Sequence, residues 1–231
     1  MCGIVGYVGG QDATQVVVEG LRRLEYRGYD SAGVAVVTPV GVQSRKRAGK
    51  LANLEKALAE APLPDTTVGI GHTRWATHGA PNDVNAHPHL SEDGSLAVIH
   101  NGIIENFAEL RSLLQADGVT FLSETDTEVA AHLLAKMVGE TGSLTEAMQA
   151  TCRQLRGAFT LVAASAEDPD TLVGARRNSP LVVGLGDGET FLASDVSAFI
   201  AHTRRAMELG QDQVITITRE GVEVTDFDGV P

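Results

Sequence analysis

Apolar and polar positions along the chain fall into short blocks whose period changes several times. Residues Gly3–Val8 are almost continuously apolar, the pattern of a buried strand. The stretch 13–26 sets Val17, Leu21 and Leu24 on one helical face, and 51–61 reads as a second helix that stops before Pro62. Between them, 33–37 and 42–47 form a hairpin pattern turning at Thr38-Pro39-Val40-Gly41. Strands at 68–72 and 96–100 flank a long polar loop, 73–88. Three helices are predicted next, at 104–115, 125–138 and 144–155; Thr125 is the N-cap of the second, with Glu128 three residues on in a capping-box pattern. From Gly157 the pattern is mostly strands, at 159–164, 172–175, 181–185, 190–193 and 214–218, with 184–188 as a Gly-rich hairpin connection. Strands come in blocks joined by short turns, and helices in blocks of their own. That predicts an α+β fold of antiparallel sheets with helices layered outside, not βαβ alternation. One domain is expected over 1–231, with 226–231, polar and carrying Gly and Pro, as the start of a linker.

Composition narrows the partners. A hydrophobic fraction of 43% with 21% charged residues is that of an ordinary globular protein. A formal net charge of −12 speaks against a nucleic-acid-binding surface, which needs clustered Lys and Arg. No apolar run approaches the roughly 18 residues of a membrane span, and the first residues lack the basic and apolar regions of a signal peptide. Cys2 and Cys152 are the only cysteines, so a reducing cytoplasm is the expected compartment and no disulfide framework is expected. Cys152 shares a helical face with Met148 and Leu155 and is assigned to the core.

Cys2 carries the most pointed chemistry. Once Met1 is removed, its thiol and the chain's own α-amine sit on one carbon. With reference pKa values of about 8.5 and about 7.7–8.0, the amine can take the thiol proton near neutral pH; an amino-terminal nucleophile activated in this way is a known variant of the nucleophile–base pair. The competing reading is a small residue opening a buried strand. The loop after Thr73 holds Arg74, a planar fork for a carboxylate or phosphate, then Trp75, Thr77 and His78, able to close over a ligand; a surface loop with Arg74 in a salt bridge is the alternative. His100-Asn101-Gly102-Ile103 offers a side-chain amide and a glycine N–H as an oxyanion hole, or a turn closing the strand. Ser123-Glu124-Thr125-Asp126-Thr127-Glu128 is acidic at a helix start, where the macrodipole alone favours acids. Paired with Arg74, Asp126 would clamp a free α-amino acid, with or without turnover. His87-Pro88-His89, near His72, His78 and His100, admits a metal reading beside plain hydrogen bonding. No matching ligand set accompanies it, so neither metal nor cofactor is expected.

Taken in order, several long motifs carry a resemblance. They are Cys2-Gly3-Ile4-Val5-Gly6, the run from Arg22 to Gly33 with Glu25-Tyr26-Arg27-Gly28-Tyr29, and His72-Thr73-Arg74-Trp75-Ala76-Thr77-His78-Gly79. His87-Pro88-His89, His100-Asn101-Gly102 and Ser123-Glu124-Thr125-Asp126 complete the set. The chain resembles the glutaminase domains of the isomerising glutamine–fructose-6-phosphate aminotransferases, a branch of the class II glutamine amidotransferases. The resemblance implies an Ntn-hydrolase fold, a four-layer αββα sandwich with two mainly antiparallel sheets. It implies hydrolysis of L-glutamine to glutamate and ammonia without a cofactor, and passage of the ammonia to a sugar-phosphate isomerase/synthase domain of the same polypeptide, which as a full-length enzyme is a homodimer. It assigns Cys2 as nucleophile with its α-amine as base, and Asn101 and Gly102 as the oxyanion hole. Arg74 takes the glutamine α-carboxylate and Asp126 the α-ammonium. Thr77 and His78 belong to the closing loop, Trp75 gates ammonia, and Arg27 supports the site near Cys2.

Overall fold

The computed structural model describes residues 2–27, 30–75 and 79–231. A seven-stranded antiparallel sheet is built from β1 (Gly3–Val8), β2 (Ser31–Thr38), β3 (Gly41–Ala48), β4 (Val68–Arg74), β9 (Val182–Leu185), β10 (Thr190–Ala193) and β11 (Ala206–Glu208). A six-stranded antiparallel sheet comprises β5 (His89–Leu90), β6 (Leu96–Ile104), β7 (Gly157–Ser165), β8 (Asp168–Arg177), β12 (Gln213–Ile217) and β13 (Val222–Asp226). Their spatial orders are β11-β9-β10-β1-β4-β2-β3 and β13-β12-β8-β7-β6-β5. Helices α1 (Ala13–Arg23) and α2 (Leu51–Glu60) pack on the first sheet; α3 (Phe107–Ala116), α4 (Asp126–Thr141) and α5 (Leu144–Gln154) cover the second.

Strand alternation explains the layering, because residues i and i+2 share a face. Ile4 and Val8 of β1 join a core formed only by strand and loop residues, with Ile70, Ala97, Ile99, Val162 and Leu172. The intervening Val5 and Tyr7 face α1 in a second core. Val98, Leu161 and Ala163 face α3–α5 in a third, where Cys152 is buried as expected. Three cores between four layers make the αββα sandwich.

Three elements depart from the expectation. The first helix ends at Arg23, and Glu25–Arg27 is a 3-10 turn that carries Arg27 away from the helix axis. Asn101-Gly102 does not close a strand: β6 runs on to Ile104, with Asn101 opposite Thr160 and Gly102 opposite Phe159. The glycine is required there, since its φ is +118° and a Cβ would lie 2.0 Å from Ala158 O. In the 226–231 segment, expected to open a linker, Asp226 pairs in β13 and Phe227 is only 6% exposed, stacked on Phe159 at 6.2 Å. The folded unit therefore includes Phe227.

Candidate active site

At the ends of β1, β4 and β6 the sheets open into a cavity of about 340 Å³. Cys2, Arg27, Arg74, Trp75, Asn101, Gly102 and Asp126 all line it. Thr77 and His78, singled out in the sequence, lie outside the described residues, as do Gly28, Tyr29 and Ala76 of the quoted motifs.

Cys2 immediately precedes β1, two residues before inward-facing Ile4. Trp75 N–H donates to Cys2 Sγ at 3.2 Å, and Sγ lies 3.6 Å from Trp75 O. Burial pushes the thiol above its ordinary pKa; the Trp75 N–H and the Arg74 charge only partly offset it. The resting sulfur is a thiol, so attack needs a base. Trp75 itself is half exposed at the cavity wall.

Asn101 reaches across from the second sheet, its Nδ2 donating to Cys2 O at 3.0 Å. Asp126 is the first residue of α4 and is buried. Its Oδ2 accepts from Ile104 N at 2.9 Å and its Oδ1 lies 3.8 Å from His100 Nδ1. β5 pairs with β6 only at Val98 and Ala97, so the free edge beyond is available to Asp126. Arg74, equally buried, donates to Gly79 O at 3.1 Å and Ala80 O at 3.4 Å, fastening the far end of the loop that starts at Trp75. Arg27 pairs with Asp195 at 2.7 Å, while Asp195 also accepts from Ser197 N and Ser194 Oγ accepts from Ile4 N. The cavity thus combines a thiol, an amide donor, a cation and a carboxylate: the groups needed to hold a free amino acid and attack its side chain.

The histidines have settled partners. His87 Nε2 is 2.6 Å from Thr127 Oγ1, His100 Nδ1 3.0 Å from the same hydroxyl, and His89 Nε2 3.0 Å from Thr125 Oγ1. Burial pushes His72 down to about 3 and holds His87 and His89 well below the usual imidazole range, so these three rings are neutral. Among the described residues no three His, Cys, Asp or Glu side chains gather as metal ligands. Lys46 fixes the segment bearing His87 by donating to Val84, Ala86 and Pro88 O at 3.1, 2.8 and 3.3 Å. Burial outweighs Glu128 and Asp83 and brings its ammonium down to about 8. Gly33 lets this segment cross β2, where a Cβ would stand 2.1 Å from His87 O.

The start of α4 is held by Glu128. Thr125 Oγ1 accepts from Glu128 N, as a capping box requires, but the carboxylate does not return to Thr125 N. It accepts instead from Leu122 N at 2.8 Å and from Ser123 N and Oγ, both at 2.7 Å. Burial alone would raise its pKa; the facing His132 ring and these donors outweigh it and bring it down to about 2.

Ser179 and Pro180 complete the cavity wall, held by Thr160 Oγ1 through their carbonyls at 3.0 and 3.3 Å. Sequence reading missed them. Asn178-Ser179-Pro180 does carry a turn signal, and Asn178 adopts φ +55°, but nothing local says that this turn meets Cys2.

Residues 59–228 match the family described as "glutamine amidotransferase domain". The chain belongs to that family. Within it, the chain is 66% identical over 231 residues to the glutamine–fructose-6-phosphate aminotransferase [isomerizing] of Streptomyces coelicolor and 62% identical over 232 residues to that of Leifsonia xyli. All of this chain is covered in both alignments, but it spans only 38% of the length of either relative. Among solved structures, the glutamine phosphoribosylpyrophosphate amidotransferase of B. subtilis superposes with a TM-score of 0.82 at 26% identity, covering 98% of this chain and 49% of that one. A glutamine aminotransferase class-II domain protein from Silicibacter pomeroyi shares the fold, with a TM-score of 0.62 at 17% identity over 98% of this chain and 99% of that one.

Proposed function

We propose that this chain hydrolyses L-glutamine through Cys2 and, within a longer polypeptide, supplies the ammonia for making glucosamine 6-phosphate from fructose 6-phosphate. The convergence of Cys2, Asn101, Arg74 and Asp126 on one cavity carries the reading; the names of the relatives supply the acceptor.

Arg74 binds the α-carboxylate of glutamine and Asp126 its α-ammonium, presenting the side-chain amide to Cys2. The Cys2 α-amine, free once Met1 is gone, takes the thiol proton as sulfur attacks the amide carbon. Charge on the amide oxygen goes to Asn101 Nδ2 and the Gly102 N–H. Collapse expels ammonia, protonated by the Cys2 ammonium, and leaves a γ-glutamyl thioester. Water adds to the thioester under the same base and frees glutamate. Thr77, His78 and Trp75 cover the bound substrate, with Trp75 governing the exit of ammonia, and Arg27 braces the turn beside Cys2.

The test is glutamate release from glutamine by protein with Met1 removed. Cys2→Ala is expected to abolish it, and a form retaining Met1 is expected to be inactive with its thiol intact, since the Cys2 nitrogen is then an amide. Undiminished turnover by Cys2→Ala would refute the proposal.

A further inference from the structure

A hydrogen-bond chain crosses both sheets at the cavity floor. His72 Nε2 lies 2.9 Å from Asn101 Oδ1, and Asn101 Nδ2 donates to Cys2 O at 3.0 Å. His72 stands on β4, opposite Ile4 on one side and Gly33 on the other, while Asn101 stands on β6. An amide oxygen has no hydrogen to give, so His72 is the donor, with its proton on Nε2. Turning the amide over would set Oδ1 against the Cys2 carbonyl oxygen, two acceptors facing each other, and break both bonds.

We propose that His72 is a positioning residue for the oxyanion donor: its Nε2–H selects the orientation of the Asn101 amide in which the second Nδ2 hydrogen faces the cavity. The proposal rests on the reading of Cys2 as the nucleophile. The terminal torsion of an asparagine is broad and roughly two-fold, so the side chain does not choose its own orientation. Oxyanion donors work by being aimed before charge develops. The choice is made by a ring that is itself immobile. His72 is 1% exposed, and the His87 ring lies against it with centroids 4.2 Å apart. Its other nitrogen, Nδ1, has no hydrogen-bond partner among the described residues, consistent with a bare acceptor opposite the donating Nε2. With its pKa near 3, the ring keeps a single proton throughout the neutral range.

Two substitutions separate positioning from packing. Gln at 72 can place an amide N–H near the position of Nε2; Phe fills similar space with no donor. The readouts are kcat and KM for glutamine, and affinities for two ligands, glutamate and its γ-aldehyde. Cys2 adds its S–H across the aldehyde carbonyl to give a tetrahedral hemithioacetal with no atom lost, a mimic of the oxyanion stage. For His72→Phe, kcat should fall roughly 10- to 100-fold, less than the ~10²–10³ of removing an oxyanion donor outright. KM and glutamate affinity should stay within about twofold, aldehyde affinity should drop in step with kcat, and His72→Gln should recover most of the loss. Wild-type kcat and aldehyde affinity in His72→Phe would overturn the proposal, as would equal losses for glutamate and aldehyde, or a His72→Gln as impaired as His72→Phe. The nucleophile reading is judged separately, by whether wild type forms the aldehyde adduct and Cys2→Ala does not.

Discussion

Replacing Glu128 with glutamine removes one charge from beneath the start of α4 and keeps the shape. In the native protein the carboxylate accepts three hydrogen bonds of 2.7–2.8 Å from Leu122 N, Ser123 N and Ser123 Oγ. The amide keeps one acceptor oxygen and turns an N–H₂ toward donors. An orphaned buried donor costs about 1–3 kcal/mol. Lowering the carboxyl pKa from 4.5 to about 2 on folding corresponds to about 3 kcal/mol of stability. Because the folded-state value is the lower one, that stability is fully present above 4.5 and is lost as pH falls toward 2. At pH 3, about 2 kcal/mol of it is gone. Glu128→Gln should therefore unfold about 3 kcal/mol more easily than wild type at pH 7 and only about 1 kcal/mol more easily at pH 3. In urea, with a slope of about 1–3 kcal/mol per M, the pH 7 midpoint should drop by at least ~1 M. Circular dichroism at 222 nm follows both titrations. A deficit that is equal at the two pH values, or absent at pH 7, would show that Glu128 is not the charged anchor described here.

Two further substitutions test the frame of the site. Gly102→Ala meets Ala158 O at 2.0 Å and a φ of +118°, so β6 must shift; glutamine turnover should fall by ~10² or more, and a steady-state assay near wild-type rate would contradict the placement. Phe227→Ala removes a ring buried between Phe159 and the Arg177 guanidinium, 4.9 Å from its centroid. A loss of about 3–5 kcal/mol is expected, seen as a drop in Tm on the order of 10 °C, while kcat stays unchanged; an unaltered Tm would mean that the fold ends before this residue.

Much of this architecture is written in local pattern. Periodicity located all five helices and every strand except β5, β11 and β13, because an element that buries one face must space its apolar residues to follow the backbone; β13 is an edge strand with no fully buried residue and lacks that signal. The two-residue β5 and three-residue β11 are too short to show a period. Asn101-Gly102 misleads for a physical reason: the dipeptide favours turns, yet pairing with Thr160 and Phe159 holds it in β6. The cavity-lining residues from Cys2 to Asp126 were legible because a thiol, a guanidinium, an amide and a carboxylate stand out chemically in a sequence. Ser179 and Pro180 were not, since a wall needs shape and not a reactive group. Glu128 shows the same limit, as its capping-box spacing predicted a bond to Thr125 N and the buried donors of residues 122 and 123 won instead.

The layer between the sheets has a consequence for rate. Ile4, Ile70 and Ile99 lie two positions from Cys2, His72 and Asn101, and all three isoleucines belong to the inter-sheet core. Alternation puts each pair on one face of its strand, so Cys2, His72 and Asn101 continue that dry stripe to the edge of the cavity. Cys2 and Asn101 stand on opposite sheets, and the gap between them is gauged by how thick that stripe packs. A methyl group gained or lost at Ile70 acts as a shim, changing the distance from the Cys2 sulfur to the Asn101 amide without entering the cavity, whereas the same change beneath α1 or α5 leaves that gauge alone.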